Sequence, residues 1–515
     1  MKARTAACPA CGGPVEFKVA STLVTICPFC QSAVARNDKK IEDHGKVADL
    51  VETNSPLRLG ISGFFRGKRF TILGRVQYNH PAGGVWNEWY LSFSGEKWGW
   101  LAEAQGRFYL MFERQLSSSI RLPAFDSLRV GESAQLGRAE FTVSEVGVAK
   151  TASAEGDIPW NFVAGHEHRF ADLAGAENTL ATFEYGDRNV AYVGKEIRLA
   201  ELDLDDAVPE YVEAKLVSAL QLNCPKCGGP LSLHVPDQSQ RITCDNCHSL
   251  LDVSDGKLLY FSTLKTSEKL PIKIPLGSEG ELMGDRYTVI GFLRRFALYE
   301  GKTYPWSEYL LYNHEIGFRW LIENQNHWAF AEPISANVKR SGSYVKYDGD
   351  SFRLYDRGTA YVQNVLGEFY WRVEAGEQVQ TADYIAPPRM ISFETSDTGR
   401  SQEINLTLST YLKPETVEKA FGVGFIGRSW GVGPIQPRPE MGVGFFLLWP
   451  AFGMAIFCIF SICSMFKRTT SVDPWMMFYA LLFVSIVPIG ALIYMYSYEV
   501  KRWENSDYSP YRSSE

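Results

Sequence analysis

At 515 residues the chain is too long for one hydrophobic core, and several domains are expected. A hydrophobic fraction of 45% and a charged fraction of 22% are those of folded protein. The formal net charge of -7 argues against a chain that binds polyanions along its whole length, and 13 Trp, 25 Tyr and 31 Phe favour strand-rich domains over helical bundles.

The opening residues, MKARTAACPACGG, contain no apolar run of signal-peptide length, so the bulk of the protein is expected to stay in the cytosol. Residues 1–40 read as a zinc ribbon. Cys8-x2-Cys11 is followed by fifteen residues and then by Cys27-x2-Cys30. A CxxC turn aims both sulfurs at one point, and two such knuckles joined by a short hairpin complete a tetrahedral shell of four thiolates. Four thiolates leave no open position, so the expected Zn2+ is structural. Disulfides are disfavoured because cytosolic thiols stay reduced.

Residues 56–208 read as a β-rich domain, an antiparallel barrel or roll whose strand order the sequence leaves open. Runs such as "RFTILGRVQY", "EWYLSF" and "EFTVSEVGV" alternate apolar and polar residues between Gly, Asp and Asn breaks. In "VWNEWYL", Trp86 and Glu88 share one face of a strand while Trp89 lies opposite. The glutamate reads first as a structural acceptor or the partner of an arginine, Arg75 here and Arg294 in the second copy. The alternatives are a ligand-groove residue with a raised pKa or an acid–base group. No second acid, nucleophile or histidine is expected to recur at matching positions, and His166 and His168 read as members of a solvated loop. Residues 209–220, opened by Pro209, read as a short helix and linker.

The ribbon then returns at 221–257, with Cys224-x2-Cys227, sixteen residues and Cys244-x2-Cys247. His248, beside Cys247, is set aside as a ligand because its counterpart is Ser32. The β-rich domain returns at 275–412. "GDRYTVIGFL" (284–293) answers "GKRFTILGRV" (67–76), "WLIE" (320–323) answers "WLAE" (100–103), and "FYWRVEAGEQVQTAD" (369–383) answers "IPWNFVAGHEHRFAD" (158–172). "PWSEYLL" (305–311) repeats the box with Trp306, Glu308 and Tyr309. One unit of ribbon, β domain and short helix has been copied whole.

Residues 413–440 read as a short helix opened by Pro414 and a Gly/Pro-rich tether. Its "GVGFIG" matches a dinucleotide fingerprint in letters but not in βαβ context. Residues 441–498 carry two uncharged apolar runs, 442–466 and 475–498, each long enough for a transmembrane helix, and are expected to form a hairpin. Trp449, Trp475 and the tyrosines at 494–498 suit interfacial positions. Lysine and arginine counts around the spans, and the need for reduced thiolates, place both termini and the tail 499–515 in the cytoplasm.

The G-x-x-[FY]-x-[VI]-x-G opening, the W-x-E-[WY] box and the WL dipeptide resemble bacterial domain-of-unknown-function family 4178, over roughly 56–200 and 275–410. The resemblance implies a β-rich domain without an established catalytic activity. It also implies frequent company with zinc ribbons and genes of membrane stress or polyamine synthesis.

Together these readings give a mainly β protein with small α content, anchored as a multi-pass protein in a bacterial inner membrane. Its expected role is that of a non-enzymatic scaffold or binding protein. The ligand-groove candidates are Trp86, Glu88, Trp306 and Glu308. Protein partners and a homo-oligomer through the hairpin are expected. Nucleic-acid binding through the ribbons is the weaker alternative: residues 1–40 carry a net +4, but residues 221–257 have three basic and four acidic residues. An uncharacterised enzyme using the Trp-x-Glu boxes is a third reading.

Overall fold

In the computed structural model of the chain, the described residues are 4–17, 23–37, 40–46, 50, 55–81, 83–95, 97–116, 121–160, 162–186, 188–205, 220–235, 239–254, 257–263, 270–335, 337–338, 340–397, 399, 401–439, 443–466 and 474–511. The helix expected at Pro209 lies outside them.

Each copy of the repeat closes eight antiparallel strands into a barrel. In the first copy these are β1 (Lys68–Asn79), β2 (Val85–Phe93), β3 (Lys97–Ala104), β4 (Arg107–Arg114), β5 (Ala139–Ile158), β6 (Glu167–Ala174), β7 (Thr179–Tyr185) and β8 (Val190–Ile197). Pairing runs β1-β2-β3-β4-β8-β7-β6-β5 and back to β1. The second copy supplies β9 (Asp285–Tyr299), β10 (Lys302–Asn313), β11 (Gly317–Asn324), β12 (His327–Pro333), β13 (Asp350–Phe369), β14 (Gln378–Ala386), β15 (Arg389–Asp397) and β16 (Ser401–Leu412). Its order is the same, β9-β10-β11-β12-β16-β15-β14-β13 and back to β9.

Closure depends on the 20-residue strands β5 and β13. The first half of each pairs with the next strand in sequence, and its second half turns to meet the first strand of the barrel. Near the far end, Gly156 and Gly367 take φ of 72° and 88°, with their backbones pressed on the neighbouring strand. A Cβ at either position would lie 2.3 Å from the carbonyl oxygen of Leu73 or Ile290, so only glycine fits.

Most of the apolar packing lies outside the barrel walls, under segments of the same chain. Phe70, Trp89, Leu91 and Leu110 pack beneath Leu57, Ile61 and Leu202, while Phe141, Leu173 and Phe183 pack beneath Leu128 and Leu136. In the second copy the cover is Ile274 and the helix α1 (Pro414–Phe421), which sets Val417 and Phe421 on Tyr309, Leu311 and Phe330. That helix begins at Pro414, where the missing N–H costs no intrahelical bond, and ends at left-handed Gly422.

The ribbons extend the barrels. Strand Val24–Ile26 pairs with the end of β5, and strand Arg241–Thr243 with the end of β13. An acid after the special glycine pins each junction. Asp157 accepts from Thr25 Oγ1 at 3.2 Å, while Glu368, 2% exposed, accepts from the backbone N–H of His234 and Val235 and from Ser239 Oγ. The barrels themselves meet through β5 and β16, where Glu145, Val146 and Gly147 pair with Glu403, Gln402 and Ser401.

The segment after α1 is not a free tether. Ile426 and Ile435 are buried, Arg428 pairs with Glu415 and Glu418, and Trp430 N–H donates to the Gln325 carbonyl. Helices α2 (Val443–Phe466) and α3 (Pro474–Arg502) form where the two apolar runs lie. Yet among the described residues no helix is long and apolar enough to cross a membrane. The expected transmembrane hairpin and the multi-pass inner-membrane placement with cytoplasmic termini are therefore corrected. The last turns of α3 carry Glu499, Lys501 and Arg502, and this end is buried on the second barrel. Tyr355 Oη donates to the Arg502 carbonyl at 3.1 Å, and Trp503 packs with Ile385 and Ile435.

Candidate functional sites: thiolate clusters and barrel interiors

The two cysteine layouts converge as their spacing requires. Cys8 and Cys30 Sγ lie 3.7 Å apart, as do Cys11 and Cys27; the same separation joins Cys224 to Cys247 and Cys227 to Cys244. A tetrahedral shell with metal–sulfur bonds of about 2.3 Å has edges of about 3.8 Å. The clusters therefore have the dimensions of a metal site and are far from a disulfide of about 2.0 Å. The Gly13 and Gly229 N–H groups each donate to a sulfur, Cys11 or Cys227, at 3.4 Å. Each cluster can hold one metal ion, and His248 belongs to neither.

Inside the first barrel, the Trp86/Glu88 face of β2 looks across the lumen. Trp86 Nε1 donates to Glu88 Oε1 at 3.2 Å, and its ring stacks on Tyr78 at 5.0 Å and meets Phe170 at 5.9 Å. Glu184 of β7 and Asp172 of β6 face Glu88 from the far wall. Burial first, and then the Glu184 charge, pushes the Glu88 carboxyl up to about 7. Burial and the Glu145 charge push Asp172 up to about 7 as well, against a hydrogen bond from Thr182 Oγ1 at 2.6 Å. His168 lies 3.5 Å from Glu184, and its ring is 5.6 Å from that of Tyr78. It is thus a lumen residue rather than a member of a solvated loop. The side chains of His168 and Glu184 each keep 21% exposure inside the wall, so water reaches this interior.

The second interior is built on the same frame. Trp306 Nε1 donates to Glu308 Oε1 at 2.6 Å. Asp383 and Glu394 occupy the strand positions of Asp172 and Glu184: Asp383 faces Ser392 as Asp172 faces Thr182, and Glu394 faces Thr381 as Glu184 faces Phe170. Acids therefore do recur, contrary to the expectation from sequence. The Ala-Asp and Phe-Glu pairs carry the signal, but barrel closure alone shows that they meet the Trp–Glu box. The cation differs from both expected arginines. Arg295 Nη1 reaches Glu308 at 3.2 Å and Glu394 at 2.9 Å. Arg294 instead donates to Ser307, and Arg75 lies outside its barrel, over the Trp89 ring and bonded to Asn87. The two Trp–Glu pairs occupy separate lumens and do not share one groove.

A third group sits at the barrel joint, where Glu145 directly faces Glu403. His80 Nε2 lies 2.8 Å from Glu145, and the ligand atoms of all three fall within 4.8 Å of one another. Burial opposes protonation of His80, but Glu145, Glu403 and Asp172 raise its pKa, so an imidazolium can balance the facing carboxylates.

The family model for a domain of unknown function (DUF4178) matches residues 58–199 and 275–414, the two barrels with little to spare. The chain belongs to this family. Each DUF4178 copy follows one thiolate cluster. No curated protein matches the chain. Among solved structures it is compared with the Trp-176-Ala mutant of the vaccine antigen transferrin binding protein B from Haemophilus parasuis Hp5. The identity is 9% over 79% of this chain and 94% of that one, with a TM-score of 0.11, which carries no argument.

Proposed function

We propose that the chain is a non-enzymatic ligand- or partner-binding protein, with two structural Zn2+ ions fixing ribbons onto two barrels whose interiors are the binding surface. Four thiolates per cluster at tetrahedral spacing favour Zn2+ held by Cys8, Cys11, Cys27 and Cys30, and by Cys224, Cys227, Cys244 and Cys247. The ion would supply folding energy to ribbons too small to own a core.

The observation that carries the binding role is the Trp–Glu hydrogen bond repeated inside both barrels, facing recurrent carboxylates. Glu88 and Glu308 are then ligand-facing groups. The one imidazole at the box, His168, has no counterpart in the second copy, which speaks against a shared acid–base pair. The test is thermal stabilisation of the purified full chain by a panel of small molecules, in the wild type and in Glu88→Gln and Glu308→Gln. Folded variants that lose ligand-induced stabilisation support the reading. Folded variants with unchanged stabilisation refute it.

A further inference from the structure

The repeat is broken at the barrel joint. Tyr78 faces Trp86 as Arg295 faces Trp306, so His80, two residues after Tyr78, corresponds to Ala297, two residues after Arg295. Glu145 corresponds to Asp356: each pairs across its barrel wall with the aspartate of the next strand, Asp172 or Asp383. Among the described residues, the first copy alone brings an imidazole to this acid. There the other barrel also delivers a second carboxylate, Glu403 of β16, directly opposite Glu145 of β5.

The three groups are held for convergence. His80 N–H donates to the Gly84 carbonyl at 2.9 Å, and the His80 carbonyl accepts from Gly83 N–H at 2.9 Å, so a closed turn fixes the residue. Its ring stands edge-on to Trp86 at 5.9 Å. Asn405 Nδ2 donates to Glu403 Oε1 and orients that carboxylate. His80 Nε2 lies 2.8 Å from Glu145 Oε1, and one ligand atom from each residue falls within 4.8 Å of the other two. Donors bound at about 2.1 Å to a first-row divalent ion are about 3–4 Å apart, a spacing that small side-chain rotations reach from here. A fixed imidazole beside a hydrogen-bonded carboxylate is how proteins orient metal ligands. The charge balance points the same way. Burial, and then the Glu145 charge, push up the carboxyls of both Glu403 and Asp172. Among the described residues, no lysine or arginine pairs with Glu145, Glu403 or Asp172, and the one imidazole of His80 faces all three.

We propose that His80, Glu145 and Glu403 bind a divalent transition-metal ion of the Mn2+ or Zn2+ class, at a site completed only where the two barrels meet, and that the ion clamps them together. His80 Nε2 is the nitrogen ligand, Glu145 and Glu403 supply an oxygen each, and Asp172, paired beside Glu145, adds negative charge. One imidazole with two carboxylates suits these ions better than Mg2+ or Ca2+, which favour oxygen alone. The ion takes the place of the proton that lets an imidazolium balance the same acids in the metal-free joint. The site draws on neither the thiolate clusters nor the Trp–Glu boxes, so it stands or falls independently of the binding role.

The test is a Mn2+ titration of the full chain at pH 8, dialysed so that only the four-thiolate clusters keep zinc, and followed by electron paramagnetic resonance. Clusters already filled with zinc do not take Mn2+. Loss of the free-ion signal should report one saturable site per chain, displaced by stoichiometric Zn2+ but not by a roughly tenfold excess of Mg2+. Pulsed resonance of the bound ion should show coupling to a directly ligated nitrogen. His80→Ala should weaken Mn2+ binding by roughly tenfold or more and abolish that coupling, and Glu403→Gln, on the other barrel, should weaken it comparably. Hydrogen exchange at Glu145–Gly147 and Ser401–Glu403 should slow when Mn2+ is added to the wild type, a readout that needs no variant to fold. Binding without nitrogen coupling, or equal affinity in folded His80→Ala and Glu403→Gln, would place the ion on other acids and overturn the proposal. Failure of both Mn2+ and Zn2+ to bind beyond the thiolate clusters would overturn it as well.

Discussion

Replacing Arg295 with methionine strands two carboxylates inside the second barrel while keeping most of the side-chain volume. In the native protein one guanidinium nitrogen is 3.2 Å from Glu308 and 2.9 Å from Glu394, and the side chains of Arg295 and Glu308 are only 8% and 10% exposed. Removing one member of such a buried pair costs about 3–5 kcal/mol, chiefly because the remaining charge stays desolvated. Glu394 is 35% exposed and adds less, so a loss of about 3 kcal/mol is expected for this barrel. Unfolding of a chain with several domains is not two-state, so the readout should be local. Hydrogen exchange across β9, β10 and β15 at pH 8 measures it. The penalty should shrink at pH 5, where protonation can neutralise the stranded acids, and Arg295→Met/Glu308→Gln should recover part of the loss. A single-variant cost below about 1 kcal/mol, or strictly additive effects in the double variant, would refute the idea that Arg295 holds this interior together.

In the first barrel, the raised carboxyls of Glu88 and Asp172 face each other, Glu184, His168, Tyr78, Tyr192 and Glu145. Because the folded pKa of Glu88, about 7, exceeds its ordinary 4.5, its contribution is fully present below pH 4.5 and is lost as pH rises through 7. Stability of the barrel should fall over that window by up to about 3 kcal/mol, shared among the coupled acids, and Glu88→Gln should flatten the profile read by hydrogen exchange across β2 and β6. Metal analysis of purified chain should return two zinc ions, and Cys227→Ser should reduce that to one while exposing the second ribbon to limited proteolysis. Glu368→Ala removes the acceptor for two backbone N–H groups and Ser239, so the ribbon should detach from β13 at a cost of about 2–3 kcal/mol, seen as faster exchange at Val235. For His80, whose folded pKa lies above 6.5, stabilisation of the barrel joint is full below that value and fades as pH rises past it. His80→Ala should therefore weaken the joint at pH 6 more than at pH 9.

Local chemistry was legible in the residue order. A CxxC turn sets the positions of its two sulfurs within four residues, so both cysteine clusters could be read without knowing what surrounds them. The copied segments disclosed a repeated unit, and Pro414 marked a helix start, because each signal lies within one short stretch of chain. The lumen was not legible in this way. Glu88, Asp172 and Glu184 belong to strands β2, β6 and β7, and only closure of the barrel by the long strand β5 brings them face to face. The choice of Arg295 over Arg294 as the partner of Glu308 likewise depended on register: side chains alternate across a strand, so one residue's difference moves a guanidinium from the outer wall to the interior. Apolar length alone did not settle the fate of the C-terminal helices, since the end of α3 is held by the surface it meets on the second barrel. Sequence thus determined the short-range geometry of sulfur and turn, and tertiary closure decided which buried charges would find a partner.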